Sequence, residues 1–288
     1  MKVRKVYPSM KFVKVALYTV PIWIAVYVII LGMLYSNQRS MLYSPPKVSE
    51  EQIATGALKK YQSIYATTSD GLKLRGFFHA PADQSKPVIL AFHGNASHPL
   101  WMAHDFNDMV ETGYGVLLAE YRGYGGNQGH PTEEGIYLDA EAFFQSKELK
   151  KIRTTNPLVI YGQSLGSAAA VDLAQRHNEE ISALILEVPF DNLTSVVEKN
   201  FPIVFGVRFL LEDKYESDKK IMDIMPPKLF LLAEKDEVVG FDSGKKLFEI
   251  ARQPKQIIEY KNATHNGLSM FGASKDTQNF IESLSHEK

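Results

Sequence analysis

The chain of 288 residues contains no cysteine. That absence excludes a disulfide framework and any metal centre built on thiolates, and it leaves the redox compartment open. An excess of charge is also missing: 32 Lys and Arg stand against 33 Asp and Glu, a net charge of −1. Without a basic field there is nothing to attract a phosphate backbone, so nucleic acid is not an expected partner. The 8 histidines include no His-Glu-x-x-His pair, and no metal is expected. The glycine-rich loop over 123–129 misses the dinucleotide fingerprint spacing, and no Gly-Lys-Ser/Thr is present. We read its glycines as serving tight turns, and no cofactor is expected.

Charge is absent altogether from residues 15–35, which are apolar except for Thr19, Pro21 and Gly32. At about 1.5 Å per residue this stretch reaches roughly 30 Å, enough to cross a hydrocarbon core. Pro21 lies near one end, where a transmembrane helix tolerates a kink, and Tyr18 and Tyr35 fall near the two interfaces. Lys2, Arg4, Lys5, Lys11 and Lys14 precede it without an acid; Arg39, Lys47, Glu50 and Glu51 follow. The positive-inside bias places a basic N-terminus (1–14) in the cytoplasm and the rest on the other side, periplasmic or extracellular in a bacterium. A cleaved signal peptide is the competing reading, but its apolar core is usually shorter and no Ala-x-Ala site follows Gly32. The expectation is a single-pass signal anchor over 15–35, a linker over 36–60 and one catalytic domain over 61–288.

Within that domain, 61–68 and 72–79 alternate well enough for two antiparallel strands about a Ser69-Asp70-Gly71 turn. Apolar strand patterns at 88–92, 116–119, 157–161, 183–188, 229–233 and 257–260 then alternate with helical ones near 100–111, 133–147, 167–175, 243–251 and 275–285. The class is α/β: a mostly parallel sheet with helices on both faces and active loops at the carboxyl ends of the strands.

One such end carries Gly162-Gln163-Ser164-Leu165-Gly166, between an apolar run and a stretch rich in helix formers. Gly-x-Ser-x-Gly in that setting is a nucleophile elbow, where side chains at the glycines would collide with the neighbouring strand and helix. A serine hydroxyl needs a histidine to take its proton and an acid to orient that histidine, in the chain order Ser, acid, His. Asp236 follows the strand pattern at 228–233, and His265 follows that at 256–260. Glu234, Glu237 and Asp242 compete locally for the acid, and Glu187 or Asp191 would serve if it came from the preceding strand. His286, the other histidine after Asp236, lies in the polar tail. The oxyanion needs two backbone donors: the N–H of Leu165, and one from His93-Gly94-Asn95-Ala96, assigned to Asn95 with Ala96 as the alternative. His93 itself is read as packing and hydrogen-bonding to hold this loop.

The chain resembles α/β-hydrolases, and within them the membrane-anchored branch of abhydrolase-domain depalmitoylases and bacterial single-pass serine hydrolases. The likeness rests on Gln38-Arg39-Ser40-Met41-Leu42-Tyr43-Ser44-Pro45-Pro46, on His93-Gly94-Asn95-Ala96 and on Tyr121-Arg122-Gly123-Tyr124-Gly125. It continues through Gly129-His130-Pro131-Thr132-Glu133, the elbow, Pro189-Phe190, Asp236 and His265-Asn266. Glu120 and Asn127 depart from the branch's usual Asp and Ser. The resemblance implies an α/β-hydrolase fold with a short helical lid, here the insertion over 191–227. Its apolar centre is too short to span a bilayer. It either packs on the core or lends Phe205 and Phe209 to an acyl pocket.

These readings converge on a membrane-tethered serine hydrolase cleaving a carboxylic ester or thioester, lipid-like or lipidated substrates being within easy reach of the anchor. A peptidase or an acyltransferase would use the same residues. The rival from another class is a non-catalytic anchored scaffold, though such proteins usually lose a triad member and none is missing here.

Overall fold

A computed structural model describes residues 10–284. The basic residues of 1–9 and the tail histidine His286 lie outside the described residues. The strands are β1 (Gln62–Thr67), β2 (Lys73–His79), β3 (Val88–Phe92), β4 (Gly115–Ala119), β5 (Leu158–Gln163), β6 (Ala183–Glu187), β7 (Lys228–Lys235) and β8 (Lys255–Thr264). They form one sheet in the order β1-β2-β4-β3-β5-β6-β7-β8. Only β1 with β2 and β2 with β4 pair antiparallel; the rest are parallel. The first hairpin closes where Thr68 N–H meets the Leu72 carbonyl at 2.9 Å, with Gly71 at φ +92°.

The central strands are buried along their whole length because both faces are covered. Leu90, Phe92, Ile160, Leu184 and Phe230 point to one face. There they meet Ile136 and Phe143 of α5 (Glu133–Phe144), Ala169 and Leu173 of α7 (Leu165–Arg176) and Leu247 of α11 (Phe241–Ile250). Ile89, Ala91, Val159, Ile185 and Leu231 point to the other, against Met102 of α3 (Pro99–Asp105), Met109 of α4 (Asn107–Glu111) and Phe280 of α12 (Ala273–Ser283). The period-2 alternation of one strand thus builds two cores.

Where the elements depart from sequence expectation, local chemistry gives the reason. The helical pattern expected over 133–147 ends at Phe144, because Ser146 turns to accept the Leu149 N–H and starts a new helix, α6 (Lys147–Ile152). The expected linker 36–60 is partly helical. Helix α1 (Met10–Leu42) runs into its first residues, where Ser36, Asn37 and Ser40 donate side-chain bonds back to carbonyls of the preceding turn. Beyond it, Ser49 opens α2 (Glu50–Thr55) with a reciprocal capping box to Gln52. Within α1, Leu17–Leu42 is long and apolar enough to cross a membrane. The insertion between β6 and β7 carries α8 (Leu193–Asn200), α9 (Val207–Leu210) and α10 (Ser217–Lys220).

The elbow joins β5 to α7. A Cβ on Gly166 would sit 2.2 Å from the Phe92 carbonyl oxygen, and one on Gly162 would sit 2.4 Å from the Gly166 carbonyl oxygen. Both contacts are with backbone, which cannot swing away. Gly166→Ala is therefore expected to cost about 3 kcal/mol or more in stability; an unchanged thermal midpoint for this variant would contradict the packing described.

Candidate active site

Three strand ends bring Ser164, Asp236 and His265 together. Ser164 leaves β5 at φ 50°, ψ −118°, a conformation costly for a residue with a side chain. Its N–H donates to the Glu187 carbonyl at 2.9 Å, and Ser167 Oγ donates to its carbonyl at 2.6 Å. Asp236 directly follows β7 and His265 directly follows β8. His265 Nε2 lies 2.9 Å from Ser164 Oγ, and His265 Nδ1 lies 2.8 Å from Asp236 Oδ2. All three side chains are nearly buried.

The other oxygen of Asp236 accepts the N–H groups of Val238 and Val239 at 2.9 Å and of Gly240 at 3.2 Å. Burial alone would raise this carboxyl. The His265 contact and the backbone donors outweigh burial and hold it below the ordinary aspartate value. It stays a carboxylate, able to orient the imidazole and stabilise a charge on it.

The rival acids are engaged elsewhere. Glu187 is buried behind the elbow, where burial pushes its carboxyl up and Tyr161 OH and Gln163 Nε2 donate to it. Asp191 accepts from Ser243 Oγ at 2.7 Å and Lys246 Nζ at 2.6 Å. Glu234 takes the Asn262 N–H, while Glu237 and Asp242 are exposed.

A cavity of about 510 Å³ opens over Ser164 and His265, lined among others by Asn95, Trp101, Met102, Asp105, Val238 and Asn266. The loop after β3 passes close to Ser164: a Cβ on Gly94 would lie 3.2 Å from Ser164 Cβ. Leu165 is the first residue of α7, so its N–H belongs to the helix's unpaired first turn and faces no intrahelical acceptor. Among the described residues, no backbone carbonyl accepts from the Asn95 N–H.

The Asn95 side chain has a role the sequence did not disclose. Its Nδ2 donates to the Leu42 carbonyl at 2.6 Å, and its Oδ1 accepts from Ser44 N–H at 2.9 Å and Tyr124 OH at 2.7 Å. It therefore ties the loop beside Ser164 to the end of α1. Glu120 likewise has a role that the sequence does not disclose. Its Oε1 lies 2.8 Å from His93 Nε2, while His93 Nδ1 faces the Gly94 carbonyl at 2.8 Å. His98 Nε2 lies 3.2 Å from the other carboxylate oxygen but is not aligned for a hydrogen bond, and burial pushes the His98 imidazole below its ordinary value. The only sequence signal for this was an acid two positions before the Arg of Tyr121-Arg122-Gly123.

Phe205 and Phe209 require a correction. Neither lines the cavity; they are 76% and 85% exposed. The segment that carries them lies along α1 instead, where Tyr27 OH accepts the Phe205 N–H at 2.9 Å. An apolar run signals only a surface that avoids water, and this one lies against α1 and outside the cavity lining.

Glu120→Ala would leave the buried His93 ring without its partner at a cost of about 1–3 kcal/mol. A urea unfolding midpoint equal to wild type would mean that Glu120 does not hold the loop.

Comparison with known proteins bears on the fold and the family. A family model described as serine aminopeptidase, S33, matches residues 83–211. Protein bem46 of Schizosaccharomyces pombe is 32% identical over 257 residues, covering 84% of this chain and 85% of that one. Lysophosphatidylserine lipase ABHD12 of Danio rerio is 34% identical over 198 residues, 62% of this chain and 50% of that one. Among solved structures, the Pyrococcus furiosus esterase Pf2001 superposes with a TM-score of 0.64 at 17% identity, covering 85% of this chain and 98% of that one. The chain belongs to the α/β-hydrolase superfamily, as a relative of bem46.

Proposed function

We propose that this hydrolase is a membrane-anchored serine esterase that cleaves carboxylic ester or thioester bonds of lipid-like substrates through an acyl-enzyme. The observation that carries the reading is the unbroken chain from Ser164 Oγ through His265 to Asp236, at 2.9 and 2.8 Å. Ser164 Oγ attacks the acyl carbon as His265 Nε2 takes its proton, and the Asp236 carboxylate stabilises the imidazolium. The N–H groups of Leu165 and Asn95 hold the oxyanion. His265 then protonates the leaving alcohol or thiol. Water, deprotonated by the same imidazole, attacks the acyl-enzyme and releases the acid with Ser164 restored.

The choice of an ester is supported by the lipase relative and the esterase fold neighbour. The anchor reading is supported by the apolar helix Leu17–Leu42, and the positive-inside bias of residues 1–14 argues for a cytoplasmic N-terminus. In this organisation 15–35 spans the bilayer, 61–288 forms the catalytic domain beyond it, and 191–227 is the insertion. The description of the matching family favours a second reading, peptide hydrolysis by the same triad.

A fluorophosphonate probe is expected to label the wild type and leave Ser164→Ala unlabelled, with ester hydrolysis falling by about a thousandfold or more in Ser164→Ala and His265→Ala. Undiminished turnover in Ser164→Ala would end the nucleophile assignment. On paired substrates, p-nitrophenyl esters should be cleaved faster than aminoacyl p-nitroanilides; the reverse order would favour the peptidase.

A further inference from the structure

The insertion presents an apolar tip that the catalytic chemistry does not use. Phe201, Ile203, Phe205 and Phe209 are 52%, 77%, 76% and 85% exposed. Four large apolar side chains within nine positions form a patch that a water-facing loop rarely carries. The tip is also not free in space. Tyr27 OH donates to the Ile203 carbonyl at 3.2 Å and accepts the Phe205 N–H at 2.9 Å. Further along, Gln38 donates to the Leu210 carbonyl at 3.2 Å and accepts the Glu212 N–H at 2.9 Å, and Tyr35 OH donates to Glu212. Among residues 17–42 of α1, the half-buried ones fall at Tyr27, Leu31, Leu34, Gln38 and Leu42, the spacing of one helix face. The segment therefore lies along the anchor, its tip at Tyr27 and its polar end at Gln38.

At about 1.5 Å per residue, Tyr27 is roughly 12 Å along the helix from Tyr35, toward the middle of the apolar span. A tip at that level is below the headgroups of any bilayer the helix crosses. Irregular backbone is tolerated there only if its polar groups are paired within the protein. Tyr27 pairs two of those at the turn, and Val204 N–H donates to the Phe201 carbonyl at 3.0 Å. Arg208 is the one charge between Phe201 and Leu211, and its long side chain can extend to lipid phosphates.

We infer that the insertion is a second membrane element: residues 201–209 enter the outer part of the bilayer beside the anchor, with lipid acyl chains covering Ile203, Phe205 and Phe209. This rests on the membrane-anchored reading above. It bears on the substrate route, because Asn200 Nδ2 at the end of α8 donates to the carbonyl of Val238, which lines the cavity, at 3.1 Å. The cavity mouth would then lie beside the immersed tip, and an ester-bearing lipid would pass from the leaflet to Ser164 without crossing bulk water.

The absence of cysteine makes the test direct, since one introduced thiol is unique in the chain. Full-length protein carrying a nitroxide at Phe205→Cys, Ile203→Cys or Phe209→Cys is reconstituted in phosphatidylcholine vesicles. Collision with oxygen, which concentrates in lipid, is compared with collision with a water-soluble nickel complex. Ile24→Cys on the anchor and Lys150→Cys, beyond the amino ends of the strands, serve as references. The expected result is an oxygen-dominated ratio at 203, 205 and 209 that approaches the one at 24 and exceeds the one at 150 severalfold. Nickel-dominated collision at the tip with oxygen-dominated collision at 24 would overturn the inference while leaving the anchor intact. Immobile tip labels shielded from both reagents would also overturn it, in favour of a protein partner or second copy. Nickel-dominated collision at 24 would remove the anchor reading itself.

Discussion

The arrangement of the site depends on a backbone strain at a single residue. Ser164 holds φ 50° because α7 is pressed against β3, with the Gly166 Cα close to the Phe92 carbonyl. That strain costs on the order of 1–3 kcal/mol and persists only where the surroundings over-determine it. Here the surroundings are the two buried cores on either side of the sheet and the hydrogen bond from Ser164 N–H to Glu187. The result is a hydroxyl held beyond the strand ends with little freedom, where His265 meets it at 2.9 Å.

Around that fixed point the polar groups are held by layers of carboxylates and backbone donors. Asp236 sits in three N–H groups of the turn that follows β7, so the acid is positioned by main chain and does not depend on a flexible partner. Glu120 performs the matching task on the opposite side, holding His93 and through it the loop that runs past Ser164. Tyr121 OH closes this support by donating to the His93 carbonyl at 2.8 Å. Pre-positioning of this kind leaves little to reorganise when charge develops.

The same support continues into α1. Asn95 joins the loop beside Ser164 to the Leu42 carbonyl and Ser44 N–H, while buried Asp213 gathers Arg39, Tyr43 OH and the Glu133 N–H. The apolar helix is therefore bonded to the catalytic domain at its end and along one face. The polar contacts that hold α1 thus reach, through Asn95, the loop beside Ser164.

The sequence determined what is local. An apolar strand pattern followed at once by Ser164, Asp236 or His265 is legible because strand period and loop chemistry are written in consecutive residues. The antiparallel first hairpin, the alternation of strands and helices, and the uncharged span at the N-terminus are legible for the same reason. Only tertiary structure decided which acid meets His265, since Glu187, Asp191 and Asp236 all stand at or just beyond strand ends and differ in which neighbours they reach. It also decided the side chains of Asn95, Glu120 and Asp213, whose partners lie tens of residues away. The apolar run around Phe205 and Phe209 shows the limit most plainly. Burial of apolar surface is non-directional, so composition states that such residues avoid water but not which surface they turn to; that direction exists only once the insertion is laid along α1.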